Sequence, residues 1–315
     1  MRIAFVGESL IDFTATGGLA FQGHEGGALT NSAIAAARMG QPTGFITQLS
    51  TDLFGERLLA YMRANGIDTR FVLRSAAPTT LALVERTAAS NRYAFYMRGT
   101  ADTLWAPDTL PPLPDSCRYL HFGSIALLQE PAASRIADLV EAQRSRRIIV
   151  FDPNVRTSLI ADAPAYRRRC GRWLRACDLL KLSDEDAAFL SPGIDFAEAA
   201  ASYLAQGPRA VVVTRGAEGA TLYRCGSAPI HVKPAPVTVV DTIGAGDTFG
   251  AGLSVGLLEQ GVEQPSQLAA VSDAQWRAVL RFATTAAALN CTREGADPPR
   301  RAELDAALAT ERASA

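Results

Sequence analysis

The chain has 315 residues, 48% of them hydrophobic and 20% charged, with a formal net charge of −1. A chain of this length buries a large core in one large domain or two smaller ones. Near-neutral charge argues against nucleic acid or an anionic membrane as the main partner.

Cys117, Cys170, Cys177, Cys225 and Cys291 are scattered and form no C-x-x-C pair, so neither a disulfide framework nor a zinc site is suggested. Reduced thiols and a cytoplasmic location are the expectation. Met1 to Glu8 reaches glycine and an acid too soon for a signal peptide, and no apolar run approaches membrane-spanning length.

Ile3 to Val6, closed by Gly7, is predicted to be a buried parallel strand. Asp12 follows in Gly7-Glu8-Ser9-Leu10-Ile11-Asp12-Phe13. A carboxylate just past a central strand's carboxyl end lies where open α/β sheets bind ligands. Taken alone, it also reads as a turn residue. A glycine-rich, weakly patterned stretch, Thr14 to Gly27, leads into a small-residue helix from Asn31 to Met39-Gly40. Gly26 and Gly27 ahead of the Asn31 amide suit close approach to a polyol, because the amide is both donor and acceptor. Tight packing of an alanine-rich helix explains the same residues.

Thr43 to Leu49 reads as a strand and Phe54 to Asn65 as a helix stopped by Gly66. Leu81 to Glu85 and Arg92 to Tyr96 alternate around Ala88-Ala89-Ser90-Asn91, the pattern of a hairpin. From Tyr119 the pattern is regular. Strands at 119–123, 148–152, 179–182 and 210–214 are separated by helices at 131–145 and 163–176 and by two short helices. Such alternation implies a parallel sheet with helices on both faces. The strands end in His121-Phe122-Gly123-Ser124, Asp152-Pro153-Asn154-x-Arg156, Lys181-x-Ser183 and Thr214-Arg215-Gly216. These clusters would line one edge of the sheet, where a ligand crevice belongs. Ser183 with Asp186 reads as a helix N-cap and its acidic third residue. Gly219 to Tyr223 and Pro229 to Val232 suggest a hairpin, and Ser272-Asp273-Ala274-Gln275 opens a long helix through Leu289. His24, His121 and His231 have no metal-ligand spacing.

The densest signal lies at Val240-Asp241-Thr242-Ile243-Gly244-Ala245-Gly246-Asp247-Thr248-Phe249. An apolar run, Val237 to Val240, reads as a short strand before it, and Phe249 to Leu258 as a helix after it. Small residues let backbone N–H groups approach an anion, and the helix start adds positive partial charge. Asp247 would repel a phosphate unless a hydroxyl must lose its proton beside the phosphorus it attacks. A first-turn acid favoured by the helix dipole is the other reading. Glycines at 244, 246 and 250 miss the dinucleotide-binding spacing by one residue. Lys181 and Lys233 are the only lysines, and neither follows glycine, so there is no Walker A loop.

This stretch resembles the second signature of the PfkB (ribokinase-like) carbohydrate kinases, D-T-x-G-A-G-D-x-F. Gly26-Gly27-Ala28-Leu29-Thr30-Asn31 resembles the first, usually G-G-A-P-A-N, with Leu29 for the common Pro and Met39 for the Leu that usually closes the helix. Asp52-x-x-Gly55 and the T-x-G-x-x-G form at Thr214, Gly216 and Gly219 agree, and the resemblance covers nearly the whole chain. It implies a ribokinase-like three-layer α/β core from 1–11, 31–70 and 106–315, with a mostly parallel sheet. A small β lid would come from 12–30 and 71–105.

The implied activity is ATP-dependent phosphorylation of a sugar's primary hydroxyl. Asp247 would take the proton, and the N–H groups of Gly244, Ala245 and Gly246 would stabilise charge on the phosphates. Asp12, Gly26, Gly27 and Asn31 would hold the sugar, with Tyr96, Arg98 and Arg156 facing it. Lys181, Ser183, Thr214, Gly216, Gly219 and Asn290 would serve the nucleotide. Asp186 stands where the family often has Glu, and with Glu185 it would hold Mg²⁺ through water. Asp241, Ile243, Asn290, Arg293 and Gly295 map onto the family's monovalent-cation site, for which K⁺ is expected. The segments at 7–13, 121–124, 152–156 and 181–185 look most like fructokinases. 2-Keto-3-deoxygluconate or a riboside are the other substrates, and a non-catalytic sugar- or nucleotide-binding regulator is the reading from another class. ATP and a small sugar are the expected partners, and the resemblance admits a homodimer through the lid.

Overall fold

The computed structural model describes residues 1–86 and 91–314. In chain order the strands and helices run β1 (Ile3–Val6), β2 (Leu10–Gly17), β3 (Ala20–Gly26), α1 (Ala28–Arg38), β4 (Thr43–Ser50), α2 (Leu53–Ala64), β5 (Asp68–Ser75), β6 (Thr80–Arg86), β7 (Asn91–Tyr96) and β8 (Tyr119–Gly123). They continue α3 (Ala132–Gln143), β9 (Ile148–Asp152), α4 (Ala163–Ala176), β10 (Leu179–Ser183), α5 (Asp184–Leu190), α6 (Phe196–Leu204), β11 (Ala210–Thr214), β12 (Ala220–Tyr223), β13 (Ile230–Val232), α7 (Ala245–Glu259), α8 (Asp273–Asn290) and α9 (Arg301–Ser314).

One sheet has nine strands in the order β13-β12-β11-β10-β9-β8-β1-β4-β5. From β11 to β5 the pairings are parallel, and β12 and β13 add an antiparallel edge. The central strands are buried on both faces, so they read as unbroken apolar runs. Alternate residues of β1 serve different cores. Ile3 and Phe5 pack with α1, α2, α7 and α8. Ala4 and Val6 pack with α3, α4, α5 and α6. The molecule is therefore a three-layer α/β structure of the mostly parallel class. The chain goes from β1 to β4 on one side and later returns at β8 on the other. The order reverses at β1, and ligands of open α/β sheets bind outside the strand carboxyl ends at such a point.

A second sheet, β3-β2-β6-β7, has four strands. The weakly patterned stretch after residue 13 is thus a β2–β3 hairpin. The β6–β7 hairpin pairs Leu81 with Tyr96 through to Arg86 with Asn91, while its expected turn at 88–90 lies outside the described residues. Two of the expected lid limits are corrected. Residues 71–75 belong to β5, which pairs in parallel with β4 in the large sheet. Residues 97–105 return to the core, where Trp105 is buried and Thr80, Thr100 and Asp102 hydrogen-bond together. Their pattern misled because β5 is only half-buried and carries no continuous apolar run.

The expected strand at Val237–Val240 is also corrected. Val239 and Val240 are 58% and 61% exposed, and no ladder forms there among the described residues. Pro234 and Pro236 remove N–H donors just upstream. Helix α7 starts at Ala245, earlier than expected, and is almost wholly buried. Its glycines allow this: a Cβ on Gly252 would lie 2.9 Å from Ala283 Cα of α8. Helix α1 likewise starts at Ala28 rather than Asn31, because Gly27 (φ 105°) turns the chain directly into it.

Candidate active site

Helix α7 begins with Gly244 in the left-handed region, φ 74°. A Cβ there would meet Ala296 Cβ at 2.6 Å, so conformation and space both demand glycine. The turn aims the start of the helix at the crevice. The N–H of Ala245 closes this turn on Thr242 O at 3.2 Å. Those of Gly244 and Gly246 meet no acceptor among the described residues and are free for an anion. Of the expected trio of N–H groups, the turn engages that of Ala245 and leaves those of Gly244 and Gly246 without an acceptor among the described residues.

Asp247, in the first turn, is 8% exposed. Asn31 Nδ2 of α1 donates to its Oδ2 at 2.9 Å, and Asn154 Nδ2 donates to its Oδ1 at 3.3 Å. Ser32 Oγ donates to its backbone carbonyl at 3.1 Å. Burial raises the Asp247 pKa; the Asn31 hydrogen bond and the charges of Lys181 and Arg156 offset only part of that rise. The carboxylate is thus a stronger base than an exposed one, and it sits one residue beyond a free N–H at a helix start.

Asp12 lies half-buried on lid strand β2. Burial pushes its carboxyl up to about 6, against the pull of Arg156 and with the push of Asp247. Gly26, at the end of the adjacent β3, leaves room for it: a Cβ there would lie 2.2 Å from Asp12 Oδ2. Gly27 is excluded from other residue types by Glu8 O, 2.9 Å from where its Cβ would be. Arg156 NH1 donates to Asn154 Oδ1 at 2.6 Å. Tyr96 is 62% exposed at the end of β7, and Arg98 sits in the exposed turn after it. No interaction joins either of them to the Asp247 cluster.

Lys181, in the middle of β10, is buried and ion-paired with Asp152 of β9 at 2.8 Å. Burial works against its charge, but Asp152, with Asp186 and Asp247 behind it, holds its pKa above the usual value. Its Nζ would lie 3.2 Å from a Cβ on Gly246, so the ammonium faces the anion-ready helix start. Ser183 Oγ accepts from Asp186 N at 3.0 Å in the expected capping box. Asp186 accepts from Ser183 N at 2.9 Å and from Val155 N at 2.7 Å, so both its oxygens already serve backbone donors. Glu185 is exposed. Among the described residues Oδ1 of Asp152 is a buried carboxylate oxygen without a hydrogen-bond partner, on a residue that the sequence placed in a strand-end cluster but gave no role. Among the described residues no group of three His, Cys, Asp or Glu side chains converges as a metal site. A hydrated Mg²⁺ held on ATP oxygens needs none, since it keeps several waters.

At the end of β11, Thr214 Oγ1 donates to Leu182 O at 3.4 Å. Gly216 and Gly219 have positive φ, and a Cβ on Gly219 would lie 2.1 Å from Val232 O. Asn290 is fully buried. Its Nδ2 donates to Ile243 O at 2.7 Å and its Oδ1 accepts from Thr248 Oγ1 at 3.3 Å. That side chain is spent on holding the turn before α7. Asp241 Oδ1 accepts from Ile243 N at 3.1 Å and its Oδ2 from Gly295 N at 3.0 Å. The two halves of the expected cation site are therefore adjacent. Arg293 turns its side chain away, to Glu303 and Asp297.

Sequence reasoning quoted Asn154 inside a strand-end cluster but gave it no role. Its signal was an amide two residues before Arg156. Glu8 was passed over as well. It is 1% exposed, its Oε1 accepts from Ala28 N at 3.0 Å, and its Oε2 has no hydrogen-bond partner among the described residues.

An anion-ready helix start with a buried carboxylate in its first turn, opposite a polar lid strand, defines a phosphotransferase acting on a small hydroxylated compound. The sequence pattern of the pfkB family of carbohydrate kinases matches residues 2–302. The chain is 37% identical over 271 residues to a fructokinase of Rhizobium leguminosarum bv. trifolii, spanning 85% of this chain and 83% of that protein. It is 33% identical over 299 residues to a fructokinase of Klebsiella pneumoniae, spanning 94% of each. The structure is similar to that of Xylella fastidiosa fructokinase with bound ATP, with a TM-score of 0.89 and 26% identity over 99% of both chains. It is also similar to aminoimidazole riboside kinase from Salmonella enterica complexed with aminoimidazole riboside and an ATP analog. There the TM-score is 0.83 and the identity 25%, over 98% of this chain and 100% of that one. The chain belongs to the pfkB family of carbohydrate kinases. It is an ATP-dependent sugar phosphotransferase.

Proposed function

We propose that the protein transfers the γ-phosphoryl group of ATP to the primary hydroxyl of fructose, giving fructose 6-phosphate and ADP. The observation that carries the chemistry is the Asp247 carboxylate, buried at the start of α7 and bound to Asn31 across the crevice. Asp247 takes the hydroxyl proton as the sugar oxygen bonds to the γ-phosphorus and the bond to the bridging oxygen breaks, releasing ADP. The free N–H groups of Gly244 and Gly246, with the Lys181 ammonium, face the charge that develops on the phosphates. Asp12 and Asn31 orient the sugar, Gly26 and Gly27 let the backbone approach it, and closure of the lid excludes water.

Mg²⁺ bound with ATP would supply charge neutralisation at the phosphates. Asp152 Oδ1 is suited to its water shell, in place of the expected Asp186. Asp241, with the carbonyls at 243, 290, 293 and 295, suits a monovalent cation such as K⁺. A cytoplasmic location fits the reduced cysteines, and among the described residues no helix is long and apolar enough to cross a membrane.

Fructose is favoured over an acid sugar by the likeness to the fructokinases of Rhizobium leguminosarum bv. trifolii and Klebsiella pneumoniae. The likeness to the riboside kinase supports a riboside as the second reading. The deciding experiment is ATP turnover by the purified protein with fructose, ribose, 2-keto-3-deoxygluconate and aminoimidazole riboside. Fructose should give the highest kcat/KM. A tenfold preference for another member would replace the substrate and leave the chemistry standing.

A further inference from the structure

We infer that Asn154 is a positioning residue for the Asp247 carboxylate, held in its working orientation by Arg156. The inference rests on the reading of Asp247 as the base. An asparagine side chain has two faces, a carbonyl that accepts and an NH₂ that donates. Here the choice between them is made by Arg156, whose NH1 donates to Asn154 Oδ1 at 2.6 Å. A guanidinium has no acceptor, so this bond leaves the amide only one orientation. Nδ2 must point the other way, and it points at Asp247 Oδ1, 3.3 Å away. Asn31 Nδ2 takes the other oxygen at 2.9 Å. Two amides from two different segments thus grip the two oxygens and fix the plane of the carboxylate. The remaining lone pairs are then directed, not free to rotate.

The segment that presents Asn154 is pinned at both ends. Asp152, just before it, is ion-paired to Lys181 at 2.8 Å. Val155, just after it, donates its N–H to Asp186 Oδ1 at 2.7 Å. This gives Asp186 a purpose other than metal binding: it joins the α5 capping box to the loop. Asn154 itself has φ 39°, in the left-handed region where asparagine is among the few tolerated side chains. The charged groups around Asp247 are Asp12 on β2, Glu8 after β1, Asp152 and Arg156 on either side of Asn154, and Lys181 on β10. Burial raises the proton affinity of Asp247, so a donor that opposes that rise matters.

Two variants test the role. Asn154→Asp keeps the shape, tolerates the same backbone and still accepts from Arg156, but it cannot donate to Asp247. Asn154→Gly keeps the backbone conformation and removes the side chain. In both, kcat should fall by about tenfold or more, the scale of a lost charge-assisted hydrogen bond and a misoriented group. KM for ATP should stay within about twofold of wild type. The acidic limb of the kcat–pH profile should move to higher pH, further in Asn154→Asp, because a lost donor and an added carboxylate both favour protonated Asp247. A merely structural role predicts normal kcat and an unmoved limb in Asn154→Asp, and that result would overturn the inference. Asp247→Asn is measured alongside. If it retains kcat, the base assignment and the inference fall together. If it loses kcat while Asn154→Asp and Asn154→Gly do not, only the inference falls.

Discussion

Lys181 and Asp152 form a buried ion pair between neighbouring parallel strands, 2.8 Å from Nζ to Oδ2. Their side chains are only 4% and 14% exposed. Neither charge could be left alone there, because an unpaired buried ion costs several kcal/mol. Lys181→Met should therefore destabilise the fold by about 3–5 kcal/mol. Lys181→Met combined with Asp152→Leu should recover most of that stability and still leave kcat/KM for ATP low, since no ammonium then faces Gly246. Urea unfolding and steady-state kinetics on both variants check this. A single variant as stable as wild type would show that the pair is not needed in the native state.

Asp247→Asn should leave the fold intact and remove most turnover. The side chain is nearly isosteric, but an amide cannot accept the hydroxyl proton. General-base catalysis is worth about 10²–10⁴-fold, so kcat should fall by at least that much. ATP affinity should hold or improve, since a negative charge beside the γ-phosphate has gone. A kcat within about threefold of wild type, far short of that range, would make Asp247 a helix-start residue only.

Gly26→Ala places a methyl group 2.2 Å from the present position of Asp12 Oδ2. The carboxylate can swing aside, so the loss of stability should be about 1 kcal/mol, the low end for small-to-large changes. The sugar site would lose its acceptor geometry. KM for fructose should rise about tenfold or more with KM for ATP unchanged, the pattern of a lost sugar contact. Equal effects on both substrates would remove Asp12 from the sugar site.

Glu8→Gln should change the pH dependence of stability. Burial raises the Glu8 carboxyl from 4.5 to about 7. Between those values the folded state holds a proton that the unfolded state has released. Wild-type stability therefore falls as pH rises through this window. Gln keeps the acceptor for Ala28 N–H and has no charge to bury. The variant should match wild type near pH 4.5 and exceed it above pH 7 by about 3.5 kcal/mol at most, from about 1.4 kcal/mol per pKa unit. Thermal melts at the two pH values decide it, and a difference independent of pH would refute the buried-acid account.

Activity should rise when K⁺ replaces a bulky organic cation at fixed ionic strength. The motivating contact is Asp241, tied at once to Ile243 N–H and Gly295 N–H. A flat response in protein freed of K⁺ and Na⁺ would remove the cation from the mechanism.

The architecture was legible because its signals are local. Apolar runs such as Ile3–Val6 and Val211–Val213 read as buried strands, and the helix starts at Ser183 and Ser272 are written in residue types. The glycine turn before Asp247 needed no partner to be recognised. The same locality explains the errors. Val237–Val240 has a strand's composition but nothing covers it, and β5 lacks the apolar run yet is held in the large sheet by β4. Side-chain partnerships were beyond reach for a different reason. Asn31 and Asp247 are 216 positions apart, and Asn154 and Asp247 are 93 apart. Which oxygen each amide takes depends on angles of hydrogen bonds across three packed elements. Only the assembled sheet could show that Asp186 spends both oxygens on backbone donors while Asp152 keeps one free. The candidate reacting groups were therefore legible in the sequence. Their orientation and division of labour were set by the tertiary structure, because desolvation and hydrogen-bond geometry exist only once distant segments meet.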